Sequence, residues 1–97
     1  MTGDYKLMQG EKLLGMLHRC EIVEMFWMHC EFSPQEEFAI IAPLFRKAWD
    51  EVDEGEFERL YDEIMDQGIF LIGPNGNRLD EFFLHIDVEN RRAHLRI

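Results

Sequence analysis

The chain has 97 residues, a length that accommodates one domain with a single hydrophobic core. Hydrophobic residues make up 46% of it and aromatic residues 12%, so disorder along the whole chain is excluded. Twenty acidic and ten basic side chains give a formal net charge of -10, which repels phosphate backbones and anionic lipid surfaces. Nucleic acid and membranes are therefore not expected as partners.

The first predicted element is an antiparallel β-meander. Gly10-Glu11 places glycine at the first central position of a tight turn, which predicts a hairpin over residues 5–19. A third strand is predicted over residues 25–32, with alternate side chains on opposite faces. One face then carries Met28, Cys30 and Phe32, and the other carries Trp27, His29 and Glu31.

A first helical segment follows the meander. Ser33, Pro34 and Glu36 supply an N-cap hydroxyl, a proline at the first helical position and a glutamate three residues after the cap. Pro43 predicts a kink or a break into two short helices, because it cannot donate to the carbonyl of Ala39. Apolar positions at helical spacing form one stripe: Phe38, Ile41, Ala42, Phe45, Ala48, Trp49 and Val52.

Gly55 separates this segment from a further predicted helix over residues 56–67. Gly68 then ends the helix in the position that favours a left-handed residue. The predicted buried side of this helix carries Phe57, Leu60, Tyr61 and Ile64.

The last third of the chain predicts strands joined by turns. Residues 69–72, 82–88 and 93–97 read as strands, and residues 73–77 form a glycine-rich break. The apolar faces of the last two strands have to match, which predicts a loop of two or four residues centred on Asn90-Arg91. In that register Val88 lies opposite Ala93, Asp87 opposite His94, and His85 opposite Arg96.

Together these elements predict a single α+β domain over residues 1–97. It has an N-terminal antiparallel β-meander, two or three central helices with one kinked at Pro43, and C-terminal antiparallel strands. The helices are expected to pack on one face of the sheet. Whether the two groups of strands form one sheet is left open by the sequence.

The compartment is predicted from the termini and the apolar runs. Residues 1–4 lack the basic segment and apolar run of a secretory signal. No apolar run approaches the roughly 20 residues needed to cross a bilayer. The chain is therefore expected in the cytoplasm, with Cys20 and Cys30 as reduced thiols.

Two metal-site interpretations are weaker than their structural alternatives. The acids around Gly55 suggest a calcium loop, but Val52 and Tyr61 occupy its third and twelfth positions, where an oxygen ligand and a bidentate glutamate belong. A zinc site needs four ligands to converge, and on extended strands they point to opposite faces. Its ligands would be His18, Cys20, His29 and Cys30. No metal and no cofactor is predicted.

Two stretches predict contact with a protein partner. The acids between Asp50 and Asp66, opposed locally only by Arg59, would attract a basic protein. The four large apolar residues at 25–28 cannot all face one side of a sheet, so they either contact a partner or a second copy, or are covered by helices and a loop. The predicted partner-binding residues are Trp27, Met28, Asp50, Glu54, Glu58 and Asp62.

A different class of function would use His85, Asp87, His94 and Arg96. In the predicted register they form an imidazole oriented by a carboxylate beside a cation, the minimal set for general acid–base chemistry. No nucleophile is placed with them. A solvent-facing cross-strand pairing explains the same residues structurally.

Several short motifs resemble a family of small uncharacterised bacterial proteins of about 100 residues. They are Phe26-Trp27, Phe32-Ser33-Pro34, Pro43-Leu44-Phe45 and the stretch LDEFFLHI at residues 79–86. The resemblance implies a stand-alone cytoplasmic domain with no known activity.

The leading hypothesis is a non-enzymatic interaction domain that presents an acidic helical face to a basic partner, one version being an immunity-like neutraliser of a basic toxin. The alternatives are a small enzyme or ligand-binding domain and a homodimer formed through residues 25–28 or a free strand edge.

Overall fold

A computed structural model describes residues 3–97 as an antiparallel sheet with two α-helices, so the α+β prediction is confirmed. The strands are β1 (Tyr5–Gln9), β2 (Lys12–Glu24), β3 (Trp27–Pro34), β4 (Ile69–Ile72), β5 (Arg78–Leu79), β6 (Phe83–Asp87) and β7 (Arg92–Arg96). Between β3 and β4 lie a 3-10 helix (Glu36–Ile40), α1 (Ala42–Asp50) and α2 (Glu54–Met65). No helix within residues 3–97 is long and apolar enough to span a bilayer.

The two groups of strands form one sheet with the order β5-β4-β1-β2-β3-β7-β6. β4 pairs with the free edge of β1, and β7 pairs with the free edge of β3, so the C-terminal strands extend the N-terminal meander on both sides. Every neighbouring pair is antiparallel. The sequence could not decide this, because either group alone satisfies its local pattern.

The sheet has to curl, because its two edge strands are joined by a short link. β5 and β6 lie at opposite edges, yet only residues 80–82 connect them. A flat sheet of this order would separate the edges by about 29 Å, whereas the link spans about 14 Å at most. One hydrophobic cluster fills the interior with alternate strand residues and one side of each helix. Among its fully buried members are Leu7, Leu14, Leu17, Phe45, Ile64, Leu71, Leu84, Ile86 and Leu95.

The first hairpin forms where it was predicted, with Gly10 at φ +61° in its turn. β2 is longer than expected, because a β-bulge at residues 19–20 lets it continue to Glu24. Arg19 adopts φ +50° in this bulge. The predicted start of the third strand at residue 25 is wrong, since Met25 and Phe26 form the turn that precedes β3.

The bulge also brings the two cysteines together. It places Cys20 beside Cys30 on the next strand, with 4.2 Å between their Cα atoms, and the two form a disulfide. Both side chains are buried. The expectation of reduced thiols is therefore wrong for this structure, because no sequence pattern predicts the bulge that aligns the two residues.

The predicted helix start at Ser33 is also wrong. Ser33 and Pro34 remain in β3 opposite β2, and the Gln35 amide donates to the Leu14 carbonyl at 2.8 Å. The residues that were expected to cap a helix are therefore paired in the sheet instead. Of the two outcomes predicted for Pro43, the break occurs: the 3-10 helix ends before it, and the proline lies in the first turn of α1.

The helices keep most of the predicted buried positions, but their ends differ. α1 ends at Asp50, which leaves Val52 96% exposed although it continues the apolar stripe. α2 begins two residues earlier than predicted, because the Asp53 carboxylate caps it by accepting from the Glu56 amide at 3.0 Å. Gly68 adopts φ +76°, as predicted for the residue that ends the helix.

The inner side of α2 is tied to β6 by one tyrosine. The Tyr61 hydroxyl donates to the Phe82 carbonyl at 2.7 Å and accepts from the Leu84 amide at 3.1 Å. Burial raises the pKa of Tyr61 to about 12, so the phenol stays protonated at neutral pH. The tyrosine therefore fixes the position of α2 against the edge of the sheet.

The last hairpin has the predicted faces but a different register. Ile86 lies opposite Ala93 and Leu84 opposite Leu95, which is two residues away from the predicted pairing. The cause is Asp87, whose carboxylate accepts from both the backbone amide and the side-chain amide of Asn90. The loop therefore starts directly after Asp87.

Candidate functional site

The outer surface of α2 carries a line of acids that we call the acidic ridge: Glu54, Glu58, Asp62 and Asp66. They are spaced four residues apart, which places them above one another along the helix, and all are exposed. None forms an ion pair with another residue of the described chain, 3–97. By contrast, the neighbouring Glu56 and Glu63 both pair with Arg59.

Helix stability explains only the first member of this ridge. A negative charge at Glu54 is favourable beside the positive N-terminal end of the helix dipole. Asp62 and Asp66 lie at the opposite end, where negative charge is unfavourable, and no basic residue occupies the last turn. Like charges four residues apart also repel one another. The acidic ridge therefore lowers the stability of α2.

A groove lies next to the acidic ridge, where the end of α1, the start of α2 and β6 meet. It encloses about 200 Å³, and Glu54 belongs to both features. Its walls include the aromatic rings of Trp49, Phe57 and His85 and the carboxylates of Glu51, Asp53 and Glu54. No lysine or arginine of residues 3–97 lines it.

The local fold fixes two of the three groove carboxylates. Glu51 accepts a hydrogen bond from the Asp53 amide at 3.0 Å, and Asp53 caps α2. Glu54 has no such partner in the described chain, so its carboxylate can turn toward a ligand. Two of the groove carboxylates are thus held by backbone amides, and the third accepts no hydrogen bond from residues 3–97.

Three histidines lie in register across β3, β7 and β6 behind the groove. His29 faces His94, and His94 faces His85. The rings of His29 and His94 stack with 4.0 Å between centroids. Trp49 covers His94 at 5.2 Å, and Phe57 covers His85 at 4.8 Å.

These contacts keep the two inner imidazoles neutral at pH 7. Burial lowers the pKa of His85, and the nearby His94 lowers it further. Burial also lowers the pKa of His94, with His29 adding to the effect and Glu24 and Asp87 opposing it. The groove wall formed by His85 therefore carries no positive charge.

The predicted acid–base set does not assemble. Only His85 and His94 face each other, because the register differs from the predicted one by two residues. Asp87 lies opposite Arg92 and is bonded to Asn90. Arg96 lies opposite Phe83, with its guanidinium 5.8 Å from the Phe26 ring centroid.

The four residues considered and rejected as zinc ligands are also dispersed. Cys20 and Cys30 are joined to each other, and the His18 Nδ1 atom lies 3.1 Å from an Asp4 carboxylate oxygen. His29 is stacked on His94. Within residues 3–97 no group of three or more histidine, cysteine or acidic side chains is arranged to hold a metal ion.

The predicted partner-binding residues fall in three places. Glu54, Glu58 and Asp62 lie on the acidic ridge, and Asp50 is exposed at the end of α1. Trp27 and Met28 are only partly exposed in β3. The apolar surface instead lies at the turn between β2 and β3, which we call the hairpin tip: Ile22, Val23, Met25 and Phe26.

Asp66 belongs to the acidic stretch expected from the sequence to attract a basic partner, but Trp49 and Phe57 were not predicted as site residues. Nothing in the sequence showed that these two residues from separate helices border one groove.

No protein-family model, curated protein or solved structure matches this chain. The acidic ridge and the groove, which share Glu54, are the two features of residues 3–97 that suggest a function.

Proposed function

We propose that this protein is a small non-enzymatic interaction domain that holds a basic protein partner against α2. The observation that carries the proposal is the acidic ridge, four exposed carboxylates in line with no countercharge from residues 3–97. An immunity-like neutraliser of a basic toxin is one version of such a domain.

The geometry of the acidic ridge suits an elongated basic segment. Its four acids run from Glu54, the first residue of α2, to Asp66 at the C-cap, which is 12 residue steps or about 18 Å. A partner helix or strand with several cations can therefore engage them together. Attraction between such charged surfaces accelerates association and selects partners of opposite charge. Because the acidic ridge destabilises the free domain, a partner that neutralises it regains that energy on binding.

The test is affinity capture with two charge-matched variants. One variant neutralises the acidic ridge with Glu54→Gln, Glu58→Gln and Asp62→Gln. The control makes the same change in net charge at three exposed acids away from α2, with Glu11→Gln, Glu36→Gln and Glu37→Gln. A basic protein retained by the parent and the control but lost by the first variant supports the proposal. Retention by all three, or by none, contradicts it.

A second copy of the chain is the favoured occupant of the hairpin tip. Met25 is 82% exposed and Phe26 65% exposed, which is unusual for large apolar side chains that protrude together. Light scattering of the parent beside Met25→Ser and Phe26→Ser tests this. We expect the parent to form a dimer that the substitutions dissociate, and a monomeric parent at high concentration would refute it.

A further inference from the structure

We infer that the groove beside α2 binds one arginine side chain of the basic partner. This inference rests on the proposed function and names the chemistry of the contact. The groove has aromatic walls and carboxylates, and no lysine or arginine of residues 3–97 lines it. A guanidinium is planar, stacks on aromatic rings and bonds carboxylates, which matches all three features.

The rest of the molecule shows how its other aromatic surfaces meet guanidinium groups. Arg78 covers the Phe70 ring with 3.8 Å between the guanidinium carbon and the ring centroid, and Arg96 lies 5.8 Å from the ring centroid of Phe26. In both places the chain supplies its own arginine. The groove has aromatic walls and three carboxylates but no arginine, so it lacks the cation that completes the other two.

The charges around the groove favour a cation. Glu51, Asp53 and Glu54 face it from the α1–α2 connection and the start of α2, and His85 faces it from β6 with His94 behind. The negative end of α1 and the positive end of α2 both border the groove, so their dipoles oppose each other. The three carboxylates therefore determine the sign of the local field.

The groove is also continuous with the acidic ridge. Glu54 lines the groove and begins the acidic ridge, so a basic segment lying along α2 reaches the groove at the N-terminal end of the helix. One arginine at the end of that segment enters the groove while the remaining cations lie along the ridge.

An NMR titration with acetyl-Gly-Arg-Gly-amide tests the groove separately from the acidic ridge. The control peptide replaces arginine with citrulline, which keeps the shape and removes the charge. Trp49 lines the groove, whereas the Trp27 ring lies outside it and contacts the ring of His85 with 5.3 Å between centroids. We expect a saturable shift of the Trp49 indole N–H signal with the arginine peptide, at least about threefold tighter than with citrulline, and a smaller shift of the Trp27 signal.

Phe57→Leu provides the matched variant, since it keeps an apolar side chain and removes the aromatic face. We expect it to weaken binding of the arginine peptide about threefold. Because the Phe57 ring also packs against Tyr61 and His85, binding is measured well below the melting temperature of the variant. Equal binding of the arginine and citrulline peptides, or an unmoved Trp49 signal, would overturn the arginine assignment. If the groove fails this test while ridge neutralisation still abolishes capture, the proposed function stands without the groove. If the arginine peptide binds but neutralising the acidic ridge leaves capture of the basic protein unchanged, the arginine assignment is supported and the proposed function is contradicted.

Discussion

The sheet interior and the acidic ridge obey opposite rules. In the interior, unusual residues fit the packing, as the disulfide between β2 and β3 and the glycine that leaves room for the Phe32 ring illustrate. On the acidic ridge, four like charges line up although they destabilise the helix that carries them. The difference shows which part of the chain is explained by folding and which part needs another explanation. Substitutions in the two regions should therefore change stability in opposite directions.

The largest expected effect is at Gly15 in β2. A Cβ atom there would lie 2.6 Å from a ring carbon of Phe32 and 2.9 Å from the Ser33 carbonyl oxygen. Gly15→Ala should lower the free energy of unfolding by about 3 kcal/mol, measured by denaturant titration. In a Phe32→Leu background the loss should shrink, because the smaller side chain makes room. An equal loss in both backgrounds would mean that the ring is not the obstacle.

The disulfide should have a similarly large effect. Cys20 and Cys30 are ten positions apart, so closing that loop stabilises the fold by about 3 kcal/mol. The double variant Cys20→Ala and Cys30→Ala should unfold at a correspondingly lower denaturant concentration than the oxidised parent. Mass spectrometry after alkylation under denaturing conditions, without reductant, checks the bond directly. Two added alkyl groups would show that the thiols are free.

A smaller effect is expected from the histidine row. The folded pKa values of His85 and His94 lie below that of unfolded histidine, about 6.5, so the unfolded chain binds more protons as the pH falls. Their contribution to stability is complete above about pH 6.5 and is lost as the pH falls toward the folded values. The groups that face them are His29, Glu24, Asp87 and the groove carboxylates.

The control for that prediction is the double variant His85→Gln and His94→Gln. Its unfolding free energy should change less than that of the parent between pH 7.5 and pH 5, because both neutral imidazoles are gone. Identical pH profiles would show that the row does not favour neutral histidine. The comparison between profiles matters, since many carboxylates titrate at lower pH in both proteins.

The smallest effect, with the opposite sign, is expected on the acidic ridge. Neutralising Glu58, Asp62 and Asp66 with glutamine or asparagine should raise the unfolding free energy by about 0.3 kcal/mol for each position at low salt. Screening by 1 M salt should remove most of the gain. The control triple at Glu11, Glu36 and Glu37 should gain less. A loss of stability in the first variant would mean that the acidic ridge serves the fold.

Local chemistry and periodicity predicted the parts of this fold that depend on neighbouring residues. Gly10 and Gly68 adopt the positive φ angles that the sequence demanded. Phe38, Ile41 and Phe45 are buried as their helical spacing indicated. These features follow from short stretches of chain and need no information about distant partners.

The features that were missed depend on competition between partners. Ser33 is a favourable helix N-cap, but in the structure it is a strand residue that pairs with β2. Asp87 was expected to meet His94, but Asn90 lies nearer along the chain and fixes the loop. The disulfide depends on a β-bulge at Arg19, which no sequence pattern predicted. In each case the sequence permitted two arrangements, and contacts absent from the local pattern decided between them.

The candidate site likewise has one part that the sequence predicted and one part that it did not. Glu54, Glu58 and Asp62 could be identified from the sequence, because their spacing along one helix is a local property. The groove could not be identified, since Trp49, Phe57 and His85 come from three separate elements that the tertiary fold brings together.

The most direct test of the account is the affinity of a captured basic partner, once purified, for the two charge-matched variants at several salt concentrations. The account predicts that Glu54→Gln, Glu58→Gln and Asp62→Gln weaken binding at least about tenfold and flatten its salt dependence, as loss of three charge contacts should. The control at Glu11, Glu36 and Glu37 should remain close to the parent. Equal weakening of both variants would show that only net charge matters, and this would contradict the assignment of the acidic ridge as the binding surface.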